Sequence, residues 1–397
     1  MALPTTIIST PGIHCHHPPF KSSAGNFYAL IKKADDNNIL RMYKSSDPTG
    51  DNWVIQDEGG SPGRNISGGF SSVQDGDDIH IARVGFDNNM SYSKFSMSSD
   101  TWTVIQEPIE DPTNAPNQPW VSIAVRSDGD VVVVYNGDTD QNMGDTKERV
   151  DVNIRTGGTW GGPVSLDAGG DVHYGNPNCV LGTNDFVHCL WQRQTSATPD
   201  PSISWADTQG RSLDPADDSL STVDASDANT GGALLGFPNL VTYDDGGTQR
   251  IIVSGFIADG TSLETAQATE DGSDEILLTA TGVTESFSAE PGFINGEVGV
   301  STFVELSDEI HCLYSGDGVA GVDQDLWYTT STDDGASWSA PTEEVDGVTV
   351  NFISANIYVR GLDTVLAYVY DDGGVQKYNE KVLIAGVAAA QTHQMML

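Results

Sequence analysis

The sequence predicts an all-β fold built from repeated four-stranded units, and three observations carry that prediction. Glycine is abundant, at 43 residues, and Asp-Gly, Gly-Gly and Asn-Gly pairs recur along the whole chain. Such a composition joins short strands through tight turns. No run shows helical periodicity beyond about two turns. One unit also recurs: a first strand, a polar turn of Asp, Gly or Asn, an apolar second strand, a third strand, and often a Trp-bearing fourth. At 397 residues an ordinary chain would divide, but closed all-β architectures run this long as one domain. The expected organisation is a single domain over 1–383 and an uncharged tail over 384–397.

The second strands align best. They are Phe27–Ile31, Ile79–Ala82, Val131–Tyr135, Phe186–Trp191, Arg250–Val253, Ile310–Tyr314 and Val365–Tyr368. Their spacing of roughly 52 to 64 residues is that of propeller blades or slightly above it. Seven such runs predict a seven-bladed β-propeller; six blades, with the final unit packed differently, is the alternative. The final unit offers strands near 352–359, 364–370 and 376–383 but no Trp-bearing fourth. The β-prone run Thr5–Ser9 is expected to supply that outer strand and close the ring, which limits exposed edges. His80, His188 and His311 recur at equivalent second-strand positions of different units. They read as structural strand residues, because equivalent sites around a ring lie too far apart to share a metal.

Charge excludes several partners. Eighteen Lys and Arg against 57 Asp and Glu give a formal net charge of -39, which repels nucleic acid and anionic membranes. The acids are spread over turns, without a tail-like block, so a folded chain is expected. Self-repulsion of this size is relieved by salt, and the pattern resembles that of halophilic or marine proteins. No apolar stretch reaches the length of a membrane span, and the first residues show no secretory signal. The four cysteines, Cys15, Cys179, Cys189 and Cys312, have neither zinc spacing nor the density of a disulfide framework. Cys189 and Cys312 sit in apolar runs as small core residues.

Ser331-Thr332-Asp333-Asp334-Gly335-Ala336-Ser337-Trp338 matches the pattern Ser-x-Asp-x-Gly-x-[Ser/Thr]-Trp. Decayed copies stand at 46–53, 98–102 and 155–160. On these residues the chain resembles the Asp-box (BNR, sialidase-type) repeat propellers. The resemblance implies that Ser331, Asp333, Gly335 and Trp338 form the turn between the third and fourth strands of a blade. There Asp accepts hydrogen bonds, Gly permits the bend and Trp packs between blades. It implies nothing about activity, because the box is remote from that family's active site. A sialidase needs an arginine triad to clamp a carboxylate. This chain has ten arginines, lacks the family's early Phe-Arg-Ile-Pro signature, and places no Arg where the clamp would begin.

Propeller sites gather where first strands begin. Those positions hold His14, His16, His17, Trp120, His173, Tyr174, Asn176 and Phe237, the candidate ligand-binding set. Three of the eight histidines fall in Gly12–Pro19, and His173-Tyr174 would face them across the channel. The cluster reads in three ways. It could be a zinc or copper site through His14, His16 and Cys15 or His173. It could be an acid/base set of His16, His17, His173 and Tyr174 acting on an acidic polysaccharide, as in propeller-type lyases. It could be a channel lining or glycan-stacking patch without chemistry. Asp138, Asp140, Asn142 and Asp145 form a candidate calcium loop, although the Gly falls one residue late for the usual pattern.

These features favour a non-enzymatic binding or assembly module that recognises a glycan or a neighbouring surface protein. It would be displayed on a virion, as a capsid decoration or a tail or receptor-binding protein, or on an extracellular surface. The uncharged tail would dock onto a neighbouring subunit. The alternatives are a glycan-degrading glycoside hydrolase or polysaccharide lyase on the same propeller, and a scaffold that binds proteins through its faces.

Overall fold

In the computed structural model the described residues are 3–8, 18–33, 39–49, 52–56, 66–85, 90–109, 121–137, 149–168, 173–194, 207–226, 239–245, 248–256, 263–278, 285–287, 301–317, 324–333, 337–348 and 350–385. Among them the chain is all-β. The exception is one 3₁₀ turn at Thr183–Asp185, and no helix is long and apolar enough to cross a membrane.

The described strands assemble into seven antiparallel sheets. After β1 (Thr5–Ile8), the first sheet is β2 (Phe20–Lys21), β3 (Phe27–Lys33), β4 (Ile39–Ser45) and β5 (Val54–Ile55). The second is β6 (Ile66–Asp75), β7 (Asp78–Gly85), β8 (Met90–Ser96) and β9 (Thr101–Pro108). The third is β10 (Val121–Val125), β11 (Val131–Gly137), β12 (Arg149–Thr156) and β13 (Thr159–Trp160), with β14 (Val164–Ala168) also on β12. The fourth is β15 (His173–Leu181), β16 (Val187–Gln194), β17 (Asp207–Leu213) and β18 (Asp224–Ser226). The fifth is β19 (Asn239–Asp245), β20 (Thr248–Phe256), β21 (Leu263–Glu270) and β22 (Ile276–Leu278), with β23 (Glu285–Phe287) also on β21. The sixth is β24 (Ser301–Leu306), β25 (Glu309–Asp317), β26 (Gln324–Ser331) and β27 (Thr342–Val345). The seventh runs β28 (Val350–Arg360), β29 (Asp363–Asp372), β30 (Val375–Ile384), β1.

Each of the seven aligned apolar runs falls on the second strand of its own sheet, except that Phe186 stands just before β16. The six of these strands whose side chains are described, all but β20, are covered on both faces, so they read as continuous apolar segments rather than alternating ones. Val131 to Tyr135, for example, are all buried. β30 ends at Ile384, so the strand takes the first residue assigned to the tail.

The last sheet packs against the first. β1 pairs antiparallel with β30, with Thr5 opposite Tyr378 and Thr6 opposite Lys377. Phe27 meets Tyr358 and Tyr378 edge-on at 5.9 and 6.1 Å, and Trp53 tilts against Tyr378 at 5.5 Å. The shared core takes in Ile7, Ala29, Tyr43, Ile353, Tyr368 and Tyr370. Burying each such ring removes roughly 1.5–3 kcal/mol of unfavourable hydration.

Cys179 and Cys189 face each other across β15 and β16. Cys179, Cys189 and Cys312 are free and buried. Burial pushes the Cys179 thiol up to about 12 and the other two well above the ordinary range. All three therefore stay protonated and act as core side chains.

Candidate functional site

Antiparallel pairing sorts the connections of every sheet onto two edges. The segment entering a first strand and the segment from second to third strand leave from one edge. The hairpins from first to second and from third to fourth strand leave from the other.

Of the candidate ligand residues, only His173, Tyr174 and Asn176 lie in a described strand, which opens at the first of these edges. His14, His16 and His17 precede β2, Trp120 precedes β10 and Phe237 precedes β19; all five lie outside the described residues. Asp138, Asp140, Asn142 and Asp145, between β11 and β12, also lie outside them. His173, Tyr174 and Asn176 open β15, with His173 opposite Gln194 and Tyr174 opposite Arg193. The register shifts between Gly175 and Asn178, a bulge that re-aims the strand where its first residues reach the edge. The side chains of these three residues are outside the described set.

The opposite edge is built from hydrogen-bonded Asp turns. Asp333 lies between β26 and β27, the third and fourth strands of the sixth sheet. Its Oδ1 accepts from Ser331 Oγ at 2.9 Å and Ser337 N at 2.8 Å, and its Oδ2 accepts from Ser337 Oγ at 2.5 Å. The Ser337 hydroxyl holds the Asp333 carboxyl below its usual range. Gly335 lies outside the described residues. Trp338 meets Phe303 of its own sheet edge-on at 6.1 Å. Trp53 and Trp160 do bridge sheets, to Tyr378 and to Tyr92.

Turns of the same kind recur at Asp47, which accepts from Thr49 N and Oγ1, and at Asp271, which accepts from Ser273 N and Glu275 N. The Asp271 turn escaped the sequence reading because no Trp follows it. A second device clasps neighbouring sheets here. Ser23 donates its N–H and hydroxyl to Asp77 at 2.7 and 2.6 Å. Ser127 donates its N–H and its hydroxyl to Asp185 in the same way.

The recurring second-strand histidines are buried, at 5%, 0% and 3% exposure for His80, His188 and His311. His80 Nδ1 meets Tyr92 Oη at 2.8 Å, and His311 Nδ1 meets Tyr328 Oη at 2.7 Å. In both cases the tyrosine stands two residues before the histidine's cross-strand partner, Lys94 or Thr330. In the fourth sheet that position is Gly210, because His188 pairs with Ser212. With no tyrosine there, Ile276 of the next sheet comes within 3.4 Å of where a Gly210 Cβ would lie.

His188 therefore turns to other partners. Its Nδ1 meets Ser212 Oγ at 2.9 Å and its Nε2 meets Glu270 Oε1, from the fifth sheet, at 2.6 Å. The ionised Glu270 carboxylate can only accept, so Nε2–H donates to it, and Ser212 Oγ also accepts from Ile276 N at 2.7 Å. Burial presses Glu270 toward the neutral acid. The hydrogen bonds from His188 and Thr183 outweigh it and hold the carboxyl below the usual range. Gly182 makes room for the pair, since a Cβ there would stand 2.0 Å from His188 Nε2 and 2.5 Å from Glu270 Oε1.

The order Ser–His–Glu matches a nucleophile relay, but Ser212 and His188 are only 1% and 0% exposed. A substrate has no approach, so the triplet is an inter-sheet clamp. The burial of His80 lowers it to about 4 and keeps the imidazole neutral. Among the described residues no group of three or more His, Cys, Asp or Glu could hold a metal ion.

No protein-family model matches the sequence, and no curated protein matches it. Solved structures do. The BP39L lectin from Burkholderia pseudomallei superposes with a TM-score of 0.61 at 12% identity, over 96% of this chain and 98% of that one. A ulvan lyase, described as a new family of polysaccharide lyase, gives 0.53 at 13% identity over 97% and 94%. An α-L-arabinanase from Penicillium chrysogenum, complexed with arabinobiose, gives 0.50 at 14% identity over 79% and 93%. At these identities the likeness is one of architecture: the chain has an all-β, β-propeller-like fold.

Proposed function

We propose that the chain is a seven-bladed propeller, closed by its N-terminal strand, that binds glycans without transforming them. The observation that carries this reading is the opening of the fourth sheet, where His173, Tyr174 and Asn176 begin a first strand at the edge from which its second-to-third-strand connection leaves. The architecture it shares with a lectin over nearly the whole chain supports the same reading. Aromatic and imidazole side chains suit sugars, whose apolar faces stack and whose hydroxyls pair with ring nitrogens. With a net charge of -39, a neutral glycan or one bridged by a cation is favoured over a polyanion. Display on a virion or an extracellular surface, an Asp-box ancestry and adaptation to high salt belong to the same proposal.

A glycan array at low and high salt tests it. Binding to a defined glycan class that is lost in His173→Ala/Tyr174→Ala, with unchanged melting, is the expected outcome. No binding at either salt concentration refutes it. A second reading, a polysaccharide lyase, is favoured by the His173-Tyr174 pair and by the ulvan lyase architecture. Growth of ultraviolet absorbance from an unsaturated uronate product would select it.

A further inference from the structure

We propose that a cleft between the third and fourth sheets binds a small aliphatic ammonium ion, either a free amine or the side chain of a partner's lysine. Its volume is about 180 Å³. Drug-sized sites begin near roughly 300 Å³, so this one takes a ligand the size of a single side chain. Val152, Ile154, Val164 and Leu213 supply its apolar walls. Val152 and Leu213 belong to one buried core cluster, and Ile154 packs against it.

A break in the outer strand opens the cleft. β13 pairs with β12 as far as Trp160, and β14 resumes the pairing at Val164. Gly161 and Gly162, in the gap, line the cleft without bringing side chains to it. Gly162 has φ 100°, and nothing lies within 4 Å of where its Cβ would stand.

Hydrogen-bond accounting selects the head of the ligand. Gly161 N–H is committed to Ile154 O at 2.9 Å, Gly162 N–H to Asn153 Oδ1 at 3.1 Å, and the Thr156 hydroxyl hydrogen to Asp130 Oδ2 at 2.8 Å. Arg126 is almost fully buried, and its guanidinium is occupied by Asp218 Oδ1 and the carbonyls of Leu213 and Asp214. The groups left to a ligand are acceptors. Asp218 Oδ2 has no partner among the described residues, its side chain is 43% exposed, and Thr156 Oγ1 keeps its lone pairs. Thr159 adds one hydroxyl that serves either way. A carboxylate or phosphate would meet carboxylates and a single donor, whereas an ammonium carries three donors and no acceptor. Asp130, Asp217 and Asp218 outnumber Arg126 around the opening, and a net charge of -39 concentrates cations at the surface.

The hairpins that supply Thr159 and Asp218 leave from the Asp-rich edge, opposite the opening of β15, so this site is independent of the glycan reading.

Titration of the full chain with butylammonium, followed by NMR through the methyl signals of Ile154 and Val164, tests the proposal. Butylammonium should shift these signals, and butanol and butyrate should shift them far less. Nα-acetyl-lysine methylamide should act at the same methyls. If it binds more tightly than butylammonium, the source is a partner's lysine; if less tightly, a free amine. Val164→Lys sets a rival ammonium at the opening and leaves the Arg126–Asp218 pair in place. It should weaken binding about tenfold, the worth of one charged hydrogen bond, at an unchanged melting temperature. Asp218→Asn should abolish the preference for the amine over the alcohol. Equal shifts from butanol and butylammonium, no shift from either ammonium probe, or undiminished binding in Val164→Lys would each overturn the proposal. A neutral sugar that moves the same methyls more strongly than the amines would overturn it as well.

Discussion

Two junctions between sheets solve the same packing problem with opposite chemistry. Where the seventh sheet meets the first, the contact is aromatic: Phe27, Trp53, Tyr358 and Tyr378 interlock over a broad apolar cluster. Where the fourth meets the fifth, the described contact is polar. His188 and Glu270 are joined inside the protein, with Thr183 N–H on the same carboxylate and Asn184 reaching Asp274. The first junction joins segments that lie more than 300 residues apart in the chain, and nondirectional burial supplies most of its strength. The second joins neighbouring units, so it tolerates a contact whose strength depends on geometry and protonation. Chain topology and contact chemistry divide the work.

Substitutions sharpen this contrast. Tyr378→Ala should be the most damaging, at about 3–5 kcal/mol, because Tyr378 is fully buried among aromatic rings; urea unfolding at fixed salt measures it. Glu270→Ala should cost about 3 kcal/mol, since it leaves a buried imidazole N–H unpaired. Glu270→Gln sharpens the same test through pH. The Glu270 carboxyl is depressed in the fold. Its contribution is therefore complete above the ordinary Glu value of about 4.3 and is lost as pH falls through the folded value. The wild type should lose stability on that acid limb, and the Gln variant should show a flatter one. Equal slopes would refute the role given to the pair.

Gly182→Ala should cost about 2 kcal/mol by pushing His188 and Glu270 apart. It should add little to Glu270→Ala, because both act on one contact; a double-mutant cycle reads this directly. The smallest effect is expected from Ser23→Ala at the exposed clasp to Asp77, within about 1 kcal/mol, measured by thermal melting.

Much of the architecture was legible because its signals are local. Runs such as Val131–Tyr135 carry their burial in composition, and the Asp333 turn carries its bend in a short motif. Thr5–Ile8 was readable as a partner for the last unit by subtraction, since that unit lacked a fourth strand. The clamp was not legible. Glu270 is one of 57 acidic residues and meets a histidine 82 positions away. Gly182 and Gly210 are needed for the space they leave, not for a turn, and nothing nearby in the sequence distinguishes them from other glycines. Second-strand histidines looked equivalent from sequence. Only the third-strand neighbour, tyrosine in two sheets and glycine in one, separates His188 from His80 and His311.

The sorting of connections onto two edges has an evolutionary consequence. Turns on the Asp-rich side are short and bonded within themselves, and two of them clasp neighbouring sheets through Ser23–Asp77 and Ser127–Asp185, so changes there are felt through the scaffold. Segments on the other side join strands already held by their ladders, and doubling such a segment adds only about 0.6 kcal/mol of closure entropy. New recognition can therefore be written on that side by insertion and drift, while the framework beneath stays as it is.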